Sequence, residues 1–191
     1  ADGIREQGED QRCSKGQQEE QKMKSNVTLI GLPSAGKSTI GVLLAKRLGY
    51  SFIDADILIQ EKEGRLLKEI IAQEGMDGFL QVENRVNASI EAKRSVIAPG
   101  GSVIYGKEAM EHLKEISTVV YLKMSYEELE RRVGDVVDRG VALKEGMTLR
   151  DLYDERTAYY ERYADITIDE EGMTPGQTVD LLRAMLEKKR A

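Results

Sequence analysis

Apolar residues in this chain alternate between two rhythms. Val27-Thr-Leu-Ile30 is a short, largely β-branched run, and after it Ile40, Leu43, Leu44 and Leu48 recur at helical spacing up to Gly49, a C-terminal cap. Ser51-Phe-Ile-Asp54, Ser95-Val-Ile-Ala98, Thr118-Val-Val-Tyr-Leu122 and Asp165-Ile-Thr-Ile-Asp169 repeat the short pattern and read as four more strands. Between them Phe79, Val82, Val86 and Ile90 form one helical stripe, and Ser125 with Glu128 makes a capping box ahead of Leu129. Thr174-Pro175 opens a last helix on Val179, Leu182 and Leu186. Strands alternating with helices predict an α/β fold, a five-stranded parallel sheet sandwiched by helices through right-handed crossovers.

In such a sheet ligands collect beyond the strand ends. The first strand runs into Gly31-Leu-Pro-Ser34-Ala35-Gly36-Lys37-Ser38-Thr39, which fits G-x-x-x-x-G-K-[ST] between a strand and a helix. The glycines let backbone N–H groups turn toward phosphate oxygens, Lys37 serves the outer phosphates and Ser38 offers a hydroxyl to magnesium. The helix that follows directs its positive end at the same anion. A nucleoside triphosphate is the predicted ligand.

The second strand ends in Asp54-Ala-Asp56 and the third in Pro99-Gly100-Gly101-Ser102. If the strand persists, the two aspartates point to one side, and paired like charges call for a cation or a hydroxyl proton to share. Asp56 is also suited to N-capping a helix that starts near Ile57. Because Val96-Ile97-Ala98 carries no aspartate, Asp54 is the best remaining candidate for the second magnesium ligand. No Asn-Lys-x-Asp string is present and no Asp-x-x-Gly follows the third strand, which argues against a GTPase switch. Arg131, Arg132, Arg139, Arg156 and Arg162 gather instead after the fourth strand, interleaved with Gly134, Gly140 and Gly146. This region predicts a mobile lid over about residues 133–147, whose arginine offsets charge on a moving phosphoryl group while water is excluded.

Composition narrows the class. At 191 residues the chain suits one domain, read as residues 23–191. With 34 acidic against 28 basic side chains, a net charge of −6 argues against a surface that neutralises nucleic acid, and a small-molecule partner is expected. Residues 1–22, rich in Gln, Glu, Gly and Lys, read as a disordered tail, as residues foreign to the protein ahead of a start at Met23, or as an arm that binds a partner. The single cysteine, Cys13, has no internal partner, and neither a signal peptide nor an apolar run of about 18 residues appears. A cytoplasmic monomer with no membrane contact is the expectation, and His112, in a Lys/Glu-rich helical stretch, reads as surface.

From Lys24 onward the chain resembles the shikimate kinases. The resemblance rests on Gly31 to Ser38, Phe52-Ile-Asp54-Ala-Asp56, Gly64-Arg65, Phe79 with Glu83, Gly100-Gly101, and Arg156-Thr-Ala-Tyr-Tyr-Glu-Arg162-Tyr-Ala-Asp165. It implies ATP as donor, Mg2+ as cofactor and a ring hydroxyl of a small metabolite as acceptor. By the same resemblance Lys37 holds the β- and γ-phosphates, Ser38 and Asp54 bind magnesium, and Asp56 takes the acceptor proton. Arg132 would stack on adenine and Arg139 would close the lid over phosphoryl group and substrate. Arg156 or Arg162 would grip the substrate, although ion pairs with Glu155 or Glu161 are equally open to them. Gly100 and Gly101 would let the acceptor ring approach the backbone.

Three positions depart from the pattern. The family's Phe-Arg pair, whose arginine grips the substrate carboxylate, is Phe79-Leu80; its glycine triplet is Gly100-Gly101-Ser102; its lid Arg-Pro is Arg139-Gly140. The ATP half is therefore expected intact and the acceptor half altered, with Leu80 the residue on which acceptor identity turns. Arg65 and Arg85 are the candidates to substitute for the missing one, with neither guanidinium placed by the sequence.

Overall fold

The computed structural model describes residues 24–133 and 145–190. The tail at 1–22, most of the expected lid and Arg139 lie outside the described residues. Five strands form one parallel sheet in the order β2-β3-β1-β4-β5: β1 Asn26–Ile30, β2 Ser51–Asp54, β3 Ser95–Ala98, β4 Ser117–Lys123 and β5 Ile166–Asp169. Seven α-helices surround it among the described residues: α1 Lys37–Leu48, α2 Ala55–Glu63, α3 Leu67–Ala88, α4 Lys107–Ile116, α5 Tyr126–Val133, α6 Leu149–Tyr163 and α7 Pro175–Arg190.

The strands read as unbroken apolar runs because both sheet faces are covered. Leu29, Ile97, Val120 and Leu122 have essentially no exposed surface, and Ile40 and Leu44 of α1 and Val179, Leu182 and Leu186 of α7 close over the same core. Asn26 ties three strands at their N-terminal ends, donating to the Ala92 and Ile116 carbonyls and accepting from Ser95 N–H at 3.0 Å. Ile59, Ile70, Phe79, Val82 and Val86 form a second, smaller core in which α2 and α3 pack beside the sheet.

Two local readings change. The second strand does not persist: it stops at Asp54, whose carboxylate accepts the N–H groups of Asp56 at 2.9 Å and Ile57 at 3.3 Å, so Asp54 and not Asp56 caps α2. Ser125 accepts the Glu128 N–H at 3.2 Å, but the Glu128 carboxylate turns to Arg131 and Arg132, leaving half of the expected capping box.

Candidate active site

The phosphate-binding loop is built at the C-terminal end of the central strand, where β1 must turn sharply into α1. Gly36 takes a left-handed φ of 80°, and a Cβ on Gly31 would stand 2.9 Å from the Leu122 carbonyl oxygen, so neither position tolerates a side chain. Ser34 also holds a positive φ of 64°, and its carbonyl accepts Arg132 Nη1 from α5 at 2.8 Å. The Lys37 amine, tucked beneath the loop, donates to the carbonyls of Gly31 at 2.9 Å and Leu32 at 2.8 Å. Burial there pushes its pKa down to about 8, against the pull of Asp56.

The loop borders a cleft of about 750 Å³ lined by Ser34, Gly36, Lys37, Ser38, Thr39, Asp54, Asp56, Phe79, Glu83, Gly100, Gly101, Ser102 and Arg156, among others. Ala35 is buried behind the loop, its N–H on the Leu32 carbonyl. Ser38 Oγ lies 3.4 Å from Asp54 Oδ2, a pair of hard oxygens at the cleft. Asp56, in the first turn of α2, has its carboxyl raised above the ordinary range by burial first and by Asp54 second, with Lys37 opposing. The structure thus gathers both aspartates at one cleft, though through a helix start and not through strand alternation.

The far wall comes from α3 and α6. Phe79 and Glu83, four residues apart, share the face of α3 that meets the cleft. Glu83 is 1% exposed, accepts the Ser102 hydroxyl at 2.6 Å, and is pushed up to about 7 by burial, with that hydrogen bond working the other way. From α6, Arg156 is 4% exposed and reaches the glycine turn, its Nη1 3.1 Å from where a Gly101 Cβ would stand. One turn later Tyr160 donates its hydroxyl to the Gly101 carbonyl at 2.6 Å.

Arg162, by contrast, is exposed and lies over the Tyr159 ring, outside the cleft lining; of the two candidate arginines on α6, the one inside is Arg156. Leu80 also lies outside the lining. It is one residue round the helix from Phe79 and packs against the small core of Ile59 and Ile70. Arg65 is held by Glu63 and Glu74, and Arg85 by Glu63, so neither replaces a guanidinium in the cleft.

Arg132 borders a second hollow of about 490 Å³ between the ends of β4 and β5, with Glu170, Gly172 and Met173 opposite. Glu170 there is raised to about 7 by burial, against Arg132 and Lys37. Neither Glu83 nor Glu170 was singled out for a role from the sequence. For Glu83 the signal was present: a carboxylate on the apolar stripe of Phe79, Val82 and Val86 has to face something other than core.

A phosphate-binding loop, a buried carboxylate across from it and a guanidinium on the opposite wall are the equipment of a small-molecule kinase of the P-loop class. Residues 33–187 match the family model for shikimate kinase. The chain is 33% identical over 156 residues to shikimate kinase from Persephonella marina, spanning 81% of this chain and 94% of the relative. It is 38% identical over 154 residues to that from Moorella thermoacetica, spanning 78% and 87%. Among solved structures, shikimate kinase from Acinetobacter baumannii in complex with shikimate superposes with a TM-score of 0.76 at 32% identity, covering 87% of this chain and 96% of that one. This chain belongs to the shikimate kinase family, and it is an ATP-binding phosphotransferase.

Proposed function

We propose that the protein transfers the γ-phosphoryl group of ATP to a ring hydroxyl of shikimate, giving shikimate 3-phosphate in aromatic amino acid biosynthesis. The observation that carries this reading is one cleft in which the phosphate loop, Asp56 and Arg156 face one another. The acceptor oxygen attacks the γ-phosphorus, its bond to the β–γ bridging oxygen breaks, and ADP leaves; the acceptor proton passes to Asp56. The raised affinity of Asp56 for a proton suits it to that task. Lys37 neutralises the outer phosphates, whose approach restores the charge that burial opposes. Ser38 and Asp54 fit a magnesium ion, which keeps several waters and needs few protein oxygens, and which when bound would offset charge on the phosphates. Arg156 takes the acceptor carboxylate, Gly100 and Gly101 its ring, Arg132 the adenine, and Arg139, as the resemblance implies, the moving phosphoryl group.

A second reading, an acceptor without a carboxylate, is favoured by Leu80: a family arginine is missing and no cation in the described cleft other than Arg156 sits on the acceptor side at depth. ADP release with magnesium-ATP across shikimate, neutral polyols and hydroxy-amino acids decides. Shikimate turning over fastest supports the first reading; a polyol doing so with shikimate inert supports the second. The enzyme is read as a cytoplasmic monomer of one domain acting on a small molecule.

A further inference from the structure

Lys68 is a cation with no task in the fold. It is exposed, and it forms neither an ion pair nor a side-chain hydrogen bond among the described residues. Ile71 and Ala72 lie three and four residues on, and Arg65 and Gly64 three and four back, so no carboxylate stands where a helical partner would. Lys68 also sits in the first turn of α3, where the helix dipole disfavours positive charge and where Glu69 already closes the start by accepting the Leu66 N–H at 2.7 Å. Its side chain nevertheless lines the cleft. Gly75, with φ 72° and ψ −178°, breaks α3 into two segments, one bearing Leu67, Lys68 and Ile71 and the other Phe79 and Glu83, and all five residues border the cleft. Lys68 thus belongs to the acceptor side, whereas the phosphate loop has its own lysine, committed to the Gly31 and Leu32 carbonyls. Three carboxyl groups, Asp54, Asp56 and Glu83, line the same cleft, so an anionic acceptor entering beside them meets repulsion that cations have to offset. Arg156 answers from α6, its guanidinium 5.6 Å over the Tyr105 ring. Leu80, at the family's arginine position, packs in the smaller core, and Arg65 and Arg85 are held by glutamates, which leaves Lys68 as the second answer.

We propose that Lys68 determines acceptor specificity: its ammonium joins Arg156 in holding a carboxylate of the acceptor, and the site selects an anionic hydroxyl compound over a neutral polyol without an arginine on the second segment of α3. The flexible four-carbon stem carries the charge from the rim toward the acceptor, with its methylenes along Leu67 and Ile71 at the cleft wall. Lys68 touches no part of the phosphoryl group being moved, so its loss acts on acceptor binding and leaves the nucleotide and the transfer step alone. The inference rests on reading this cleft as the acceptor site of a kinase.

The test compares shikimate with its carboxamide, which keeps the hydroxyls and loses the charge, on the native chain, Lys68→Met and Lys68→Arg. Magnesium-ADP-loaded protein is titrated calorimetrically with each probe, and ADP release from magnesium-ATP is followed in parallel. Lys68→Met should weaken shikimate binding by roughly 5- to 30-fold, between the scales of an exposed ion pair and of a hydrogen bond to a charged group, and leave carboxamide binding unchanged. The shikimate KM should rise with kcat nearly constant, Lys68→Arg should recover most of the loss, and magnesium-ADP affinity should hold in both variants. A general disturbance of α3 would weaken both probes alike and would not be repaired by arginine. An equal effect on both probes, no effect on either, or a fall in magnesium-ADP affinity overturns the inference, and if Lys68→Met turns shikimate over like the native chain, the inference falls while the proposed reaction stands. Lys68-dependent shikimate binding with no ADP release would instead sink the phosphotransfer reading and leave the inference standing.

Discussion

Glu83, Asp54 and Asp56 show how one functional group, the carboxylate, is set apart by its surroundings. Asp54 accepts two helix N–H groups, while Asp56, two residues on, is desolvated. Asp56→Asn should therefore lower turnover roughly 100-fold or more with nucleotide affinity nearly unchanged, as loss of a positioned base does. Asp54→Asn keeps a competent cap and should raise the magnesium requirement, whereas Asp54→Ala should cost about 1 kcal/mol of stability besides. Magnesium titrations and denaturation of the variants separate these effects. Glu83 supplies a pH test. Its folded pKa of about 7 lies above the ordinary 4.5, so the folded state binds the proton more tightly and stability falls as pH rises from about 4.5 to 7. The loss is up to about 3 kcal/mol, with Asp56 adding in the same direction. Glu83→Gln should flatten this decline and be the more stable protein at pH 8, measured by urea unfolding across pH 5 to 8; equal slopes would show that Glu83 does not carry the proton.

At the scale of elements, strand positions were legible because an apolar run between polar breaks has one reading in a covered parallel sheet. What the sequence reading left open was which arginine of α6 faces the cleft, since a helical stripe says which residues share a face but not what that face meets. Leu152, Arg156 and Tyr160, each four apart, all lie on its buried face. Arg162 is six residues past Arg156 and falls on the other side, so the helical period, applied strictly, separates the two arginines. The same face explains how α6 shapes the acceptor turn: Tyr160, stacked 5.2 Å from Tyr121, fixes the Gly101 carbonyl while Arg156 reaches past it. Tyr160→Phe should cost roughly 1 to 3 kcal/mol, since the carbonyl would lose its donor, and should raise the acceptor KM more than it lowers kcat. Tyr159→Phe, on a half-buried ring edge-on to Tyr105, should do neither.

Across the whole molecule the two halves of the cleft differ in how the chain assembles them. The nucleotide half is nearly continuous, Gly31 to Thr39 with its helix attached, so a motif discloses it. The acceptor half joins Asp56, Glu83, the turn at Gly100 and Arg156, which only the packing of α2, α3, β3 and α6 brings together; its pieces are marked separately in the sequence but nothing local joins them, and Leu80, which the sequence brings forward, packs against the smaller core. The continuity of the nucleotide half also makes binding a global stability term, because whatever binds the folded chain alone stabilises it by mass action. A non-hydrolysable magnesium-ATP analogue at 100 times its Kd should add about 2.7 kcal/mol to unfolding. Lys37→Met should remove most of that gain. Its effect on the free protein should have the opposite sign, since the buried ammonium, pushed down to about 8, opposes folding below that pH and the opposition fades as pH rises from about 8 toward 10.5. Thermal unfolding of both proteins at pH 7, with and without analogue, tests the pair of signs. A variant less stable than the native chain in both states would mean that the carbonyl contacts of Lys37 outweigh its desolvation.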